Sequence, residues 1–364
     1  MTAQAPRTRT LAPTNRWTAK IRPLVLAVVP LAMTSAALAA SLSAPAGRPM
    51  ACGVDLNFHI RSLRGKQRQT LAAVRHLGAT WVRMGFGLAW LELERRPGLW
   101  NFRTADRVVA VLNQQHLHLL AELGGTPRWA AQDPSGQRYW DYPPRDPRQF
   151  ARYAGAVARR FGPRIMAYKI YNEPNLHRGW TIHNYARLFA LASQAIRRAN
   201  PRATVMPGGL WFTPRATRFE KELFSDRRYP LGRYLNALDL HMTRTSPRST
   251  VLWLRRAEAL ERFYGLHAPI WVDEFAYPSA PRQQRLPGLR SGDSSQAKYF
   301  QEVLHIFAGD SHVQAVFCTY LVDNPQARQS RERSLGIMTA KFRPKPAFGV
   351  YQHFIAAHTV PTNQ

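Results

Sequence analysis

A chain of 364 residues that is 45% hydrophobic and 11% aromatic holds enough apolar material for a large core, which excludes global disorder. Its formal net charge of +29, from 51 Lys and Arg against 22 Asp and Glu, admits a nucleic acid, an anionic membrane or an acidic polysaccharide as partner. The excess is almost all arginine, spread along the chain rather than gathered in one basic block, so no nucleic-acid partner is expected and solvated arginine faces are the plain alternative.

Residues 1–39 read as an export signal. Arg7, Arg9, Arg16, Lys20 and Arg22 precede an apolar segment from Leu24 to Met33, and Ala37-Leu38-Ala39 offers a small-x-small cleavage site. Pro23, Pro30 and the shortness of the segment argue against a stable membrane span, with an uncleaved anchor as the other reading. A secreted or periplasmic protein is therefore expected. Cys52 and Cys318 are the only cysteines; export permits a disulfide, while two small buried residues would serve equally in a chain of this size.

Beyond the leader, strand and helix patterns alternate. Strands are predicted at 51–58, 80–84, 116–123, 165–171, 203–207, 237–242, 270–275 and 313–321. Helices are predicted at 66–77, 104–113, 147–161, 181–199, a short one within 218–235, and then 249–264, 294–308 and 346–355. Leu71, Ala72, Val74 and Leu77 recur at helical spacing and Gly78 supplies a C-terminal cap, while Asp146 caps the helix that begins at Pro147. Strict alternation argues for a parallel sheet with helical crossovers, and about 40 residues per unit suit an α/β (β/α)8 TIM barrel occupying 40–364 as one domain. An open doubly wound sheet would announce itself by a glycine-rich first turn, and Asn57-Phe58-His59-Ile60-Arg61 has no glycine.

In such a barrel the chemistry sits at the C-terminal ends of strands. The fourth strand ends in Tyr171-Asn172-Glu173-Pro174-Asn175, where Pro174 makes a continuing ladder impossible and a turn is the alternative to a site. The seventh ends in Trp271-Val272-Asp273-Glu274-Phe275. Strands four and seven face each other across a barrel. Two glutamates on opposite walls of one pit suit glycosidic bond cleavage, one as acid then base and the other as nucleophile.

These two motifs resemble clan A of the glycoside hydrolases. Trp81-Val82-Arg83, Trp90-Leu91-Glu92, Thr126-Pro127-Arg128-Trp129 and Leu335-Gly336-Ile337 bring the chain nearest to family 39 and related bacterial exopolysaccharide endoglycosidases, over roughly residues 50–357. The resemblance implies Glu173 as acid/base, Glu274 as nucleophile, Asn172 as a ligand of the neighbouring sugar hydroxyl, and retention of anomeric configuration. It implies that Arg83 pairs with Glu274 and that His241 lies near the nucleophile. Thr243 stands where clan members often have a tyrosine, and strand eight offers Phe317, Tyr320 and Asp323 where they present a tryptophan.

Trp129, Trp140, Trp180, Trp211 and Tyr277 fall in predicted loops of the catalytic face, which suggests a cleft for a polysaccharide rather than a small pocket. Arg61, Arg128, Arg178, Arg244, Arg282 and Arg285 also fall near its turns, and with them comes the expectation of an anionic glycan. No cysteine-histidine cluster at metal spacing and no phosphate loop occur, so neither a cofactor nor a stable protein partner is expected. A barrel that binds carbohydrate without turnover, and a polyanion binder, are the competing classes.

Overall fold

The computed structural model describes residues 48–56, 65–209, 219, 221–243, 245–280, 292–327 and 332–359, within one compact unit, Ala44–Gln364. The leader, Trp211, Arg61, Arg244, Arg282 and Arg285 lie outside the described residues.

Eight parallel strands form the barrel: β1 (Ala51–Asp55), β2 (Trp81–Met84), β3 (His118–Leu123), β4 (Ala167–Ile170), β5 (Thr204–Pro207), β6 (Leu238–Thr243), β7 (Ile270–Ala276) and β8 (Val313–Cys318). They are hydrogen-bonded in the order β5-β4-β3-β2-β1-β8-β7-β6. Asn236 closes the seam between the two ends of that order. Its backbone N–H donates to Val205 O at 3.1 Å, its Nδ2 donates to Ala203 O at 3.1 Å, and its Oδ1 accepts from Val205 N at 2.5 Å.

Helices α1 (Gln67–Leu77), α2 (Arg103–Gln114), α3 (Pro147–Phe161), α4 (Ile182–Ala199), α5 (Pro247–Tyr264), α6 (Asp293–Gly309) and α7 (Pro346–His358) accompany the strands. Gly78 ends α1 at φ 81°, and Asp146 caps α3 by accepting from Arg148 N, as the sequence requires. Among its described residues the fifth crossover carries helical backbone at 219 and 221–224, the short helix expected within 218–235, and a 3-10 turn at Leu231–Arg233. Pro230 disfavours helical backbone in the residue before it, which keeps the two apart. Strand eight ends earlier than predicted, at Cys318. Among the described residues no helix is long and apolar enough to cross a membrane.

Strand side chains alternate between the helical layer and the barrel interior. Outward residues such as Val54, Val82 and Val272 join the large core under the helices. Inward residues fall into two levels. The lower level is apolar: Leu120, Ala167, Met206, Ala237, Trp271, Ala315 and Phe317 form a separate buried cluster, with half-buried Trp81 packed against it. Gly53 completes it, because a Cβ there would collide with the Phe317 ring. Two residues further along six of the eight strands the interior turns charged, with Asp55, Arg83, Glu122, Lys169, Asp239 and Asp273. This charged level is the floor of the candidate site. Cys52 and Cys318 sit on adjacent strands, each buried and free; Cys52 pairs in register with Val316 and Val54 with Cys318, so the two thiols are offset along the ladder.

Candidate active site

The opening of the site begins where β4 stops. Tyr171 N still bonds Leu123 O at 2.7 Å, but Tyr171 (φ 60°) and Glu173 (φ 46°) are left-handed. Such backbone costs a non-glycine residue roughly 1–3 kcal/mol. Because β4 keeps continuous register with β3 and β5, the turn is made by these two residues rather than by a strand bulge. Packing holds it in place. The Tyr171 hydroxyl is 2.6 Å from Thr126 Oγ1, and its ring stacks on Phe150 with centroids 5.0 Å apart. Tyr185 OH donates to Ile170 O at 2.8 Å and accepts from Gly208 N at 2.7 Å, tying the ends of β4 and β5 together. A Cβ on Gly208 would lie 2.7 Å from Tyr171 O, so that close approach requires glycine. The result directs both Asn172 and Glu173 to the barrel mouth.

The opposite wall uses a different device. Asp239 of β6 pairs with Trp271 of β7, yet His241 pairs with Glu274, so β7 carries one extra residue. The bulge turns the adjacent Asp273 and Glu274 both toward the interior, which regular alternation would forbid.

Arg83, fully buried, joins the two walls. Its Nη1 donates to Glu274 Oε1 at 2.6 Å and to Asp55 Oδ2 at 3.2 Å. Its Nη2 donates to Asn172 Oδ1 at 2.8 Å and to Glu122 Oε2 at 2.7 Å, and its Nε lies 3.1 Å from Asp273 Oδ2. A planar guanidinium can serve this many acceptors at once; a lysine cannot. Burial pushes the Glu274 carboxyl up, but His241 and Arg83 outweigh it and hold the group below its ordinary value. Asp273 follows the same pattern: burial opposes its charge, and Arg83, Lys169 and His241 hold it well below.

His241 links the two walls through Glu173, Glu274, Asp273 and Lys169. Its Nδ1 is 2.7 Å from Glu173 Oε1 and 3.5 Å from Glu274 Oε2, while Nε2 is 3.0 Å from Asp273 Oδ1. Burial disfavours a charged ring, as does Lys169, yet Glu274 and Asp273 prevail and push its pKa up to about 10. Lys169 Nζ lies 2.9 Å from Nε2, a hydrogen bond only if that nitrogen is bare. The carboxylates around the ring decide for the proton, leaving Lys169 and His241 as two cations anchored on Asp273, whose Oδ2 is 2.6 Å from Nζ. Asp239 Oδ2 is 3.0 Å from Nζ but outside hydrogen-bond geometry. Burial and the neighbouring Asp273 push the Asp239 carboxyl well up, against the opposite pull of Lys169. A Cβ on Gly209 would overlap the His241 ring, so only glycine leaves this ring its place.

Oxygens of Glu173 and Glu274 and a His241 ring nitrogen all lie within 4.8 Å of one another. That spacing also suits a metal ion, as does that of Asp239, His241 and Asp273. The residues present fit a cation poorly: Arg83 already holds Glu274, Lys169 holds Asp273, and the imidazole between them is charged. Glu258, Asp310 and His312 form a further group of possible ligands on the outer surface.

The remaining sequence-predicted residues divide. Trp129 and Trp180 are half-buried in catalytic-face loops, with Nε1 donating to Glu94 O at 2.9 Å and to Asp141 O at 2.8 Å. Trp180 stands edge-on to Tyr171 at 4.6 Å. Trp140 is exposed. Tyr320 is buried, and burial with the Asp55 and Glu274 charges drives its phenol well up, which places it beside the site. Tyr277, expected in a cleft loop, is instead wholly buried and stacked on Tyr299 at 5.0 Å, leaving no face for a ligand. Phe317 belongs to the apolar level beneath the charged floor, stacked on Trp271, and Asp323 pairs with Lys345 at 2.7 Å. Thr243 is buried, and its Oγ1 has no partner among the described residues. The motif reading passed over Asp55, Glu122, Lys169 and Asp239. The available signal was a charge inside an apolar strand, as in Tyr168-Lys169-Ile170 and Leu238-Asp239-Leu240.

No family model matches the chain, and no curated protein matches it. Solved structures do. A family 39 β-xylosidase from Caulobacter crescentus superposes with a TM-score of 0.67 at 17% identity, covering 86% of this chain and 72% of that one. A family 39 glycoside hydrolase from Bacteroides cellulosilyticus WH2 gives 0.62 at 17%, covering 87% of this chain and 64% of that one. A family 5 enzyme, subfamily 18, from Streptomyces cattleya in complex with GlcNAc gives 0.65 at 16%, covering 88% and 82%. The chain thus spans under two thirds of the Bacteroides enzyme's length, and the likeness is one of fold, shared with glycoside hydrolases.

Proposed function

We propose that this chain is a retaining glycoside hydrolase that cleaves β-linked O-glycosidic bonds within a polysaccharide, such as an exopolysaccharide, outside the cytoplasm. The carrying observation is the separation of the two carboxylates, within 4.8 Å at their nearer oxygens. Retaining enzymes place them about 5–5.5 Å apart, whereas inverting ones leave about 6.5–9.5 Å for a water. The fold shared with a β-xylosidase supports the same reading.

In this reading Glu274, kept ionised by Arg83 and His241, attacks the anomeric carbon as Glu173 protonates the departing oxygen. Glu173 then draws a proton from water, which releases the sugar from Glu274. His241 Nδ1 orients Glu173, and Asn172, fixed by Arg83, presents its amide N–H to a hydroxyl next to the reacting carbon. Trp129, Trp140 and Trp180 supply aromatic surface along the mouth. The test is Glu274→Ala with and without azide. Loss of turnover, with a β-glycosyl azide formed on azide addition, is expected; near wild-type hydrolysis without azide would sink the assignment.

A further inference from the structure

A second cavity lies on the catalytic face, behind the loop that carries Trp180. It has a volume of about 260 Å³ and is lined by Gln132, Pro143, Arg145, His183, Asn184 and Arg187 among others. No carboxylate occurs among the described residues that line it. Asp226, which meets His183 Nδ1 at 2.9 Å, also accepts from the backbone N–H of Arg228 and Tyr229. Arg187, half-buried on α4, has no ion pair among the described residues, and its Nε is buried with no hydrogen-bond partner. Among the described residues Arg83, Lys169 and Lys345 each meet carboxylates, and half-buried Arg197, whose Nε is likewise unpartnered, still donates from Nη2 to Tyr234 O at 2.6 Å, a contact for which Arg187 has no counterpart. The buried Nε of Arg187 therefore lacks a partner that the described residues could supply, and the cavity is where one would sit.

We infer that this cavity is an anion subsite that takes the carboxylate of a uronic acid residue of the substrate chain, an inference that rests on the glycosidase reading for the source of the ligand. Two guanidinium groups, of Arg145 and Arg187, suit the planar, bidentate geometry of a carboxylate. The volume is below the roughly 300–1,000 Å³ of sites for larger ligands, which fits one sugar unit or its substituent. The cavity is also joined to the catalytic turn. A Cβ on Gly179 would lie 2.9 Å from Tyr142, 3.0 Å from Pro143 and 3.1 Å from Gln132 Oε1, so the loop is pressed against the cavity wall. The next residue, Trp180, packs on Tyr171, two residues before Glu173. A sugar acid held there would lie along the same face as the scissile bond.

Calorimetric titration of the full chain with sodium glucuronate tests this, with glucose and inorganic sulfate as comparison probes. Glucuronate should bind wild type and Glu274→Gln alike, glucose should not bind the cavity, and Arg187→Gln should weaken glucuronate by about tenfold or more. Arg145→Gln, at an exposed position, should weaken it in the same direction and guards against misfolding of the first variant. No saturable glucuronate binding, binding unchanged in both arginine variants, or binding lost in Glu274→Gln overturns the inference. Sulfate bound as tightly as glucuronate overturns the sugar acid as occupant. Hydrolysis of a neutral aryl glycoside should be untouched in Arg187→Gln. Its absence in wild type would count against the hydrolase reading, while the titration would still judge the cavity.

Discussion

Replacing Arg83 by lysine keeps a positive charge in the barrel and removes the planar fork. Asp55, Glu122, Asp273, Glu274 and Asn172 all meet that fork, and an ammonium group has fewer protons than these five contacts need. At least two acceptors lose their bond to this side chain. A hydrogen bond to a charged group is worth about 1.5–3 kcal/mol, so the loss is about 3–6 kcal/mol, enough to lower the melting temperature by several degrees. If Glu274 is one of those acceptors, its carboxylate loses part of what favours the charged form. The sign follows from the cause: the Glu274 carboxyl is held low in part by Arg83, so a weaker partner lets it rise. The acid limb of kcat/KM on an activated aryl glycoside should therefore move toward neutrality, with a lower plateau. A variant with the wild-type acid limb and wild-type melting would refute the role assigned to this arginine.

His241 should leave its mark on stability. Its pKa is raised to about 10, so its contribution is complete below the unfolded value of about 6.5 and is lost as pH rises through about 10. Denaturant titrations across that window should show unfolding free energy falling by up to about 1.4 kcal/mol per pH unit in wild type and a flatter profile in His241→Gln; a level wild-type profile would contradict this. Gly209→Ala places a methyl group in the His241 ring's space, so kcat should fall by about tenfold or more as the contact with Glu173 is lost, measured against an unchanged far-ultraviolet spectrum. Unchanged kcat would mean that the ring's position does not matter.

The architecture was largely legible because the helical and strand periods are strong and each strand end carries punctuation. Gly78 and Asp146 cap as read, and the two glutamate motifs stand at the ends of β4 and β7. What the sequence concealed is geometry that depends on register. Adjacent Asp273 and Glu274 reach the same interior only through a β7 bulge. Asn172 and Glu173 do so through left-handed Tyr171 and Glu173, a conformation that no local residue preference announces. Tyr277 was misplaced because an aromatic just past a strand end can turn to solvent or to the helical layer, and packing on Tyr299 decides it. The charged level was readable in principle, since Lys169 and Asp239 interrupt apolar strands. Their pairing could not be read, because β4 and β6 are far apart in sequence and meet only across the barrel.

The central claim is that Glu274 forms a bond to sugar while Glu173 moves the proton. Incubating the protein with a panel of activated 2-deoxy-2-fluoro-β-glycosides, followed by peptide mapping in a mass spectrometer, tests it most directly, because the fluorine slows release of a covalent glycosyl-enzyme. The account predicts one sugar adduct, on the peptide that holds Trp271-Val272-Asp273-Glu274, abolished in Glu274→Gln. An adduct on Glu173, Glu122 or another carboxylate would contradict it.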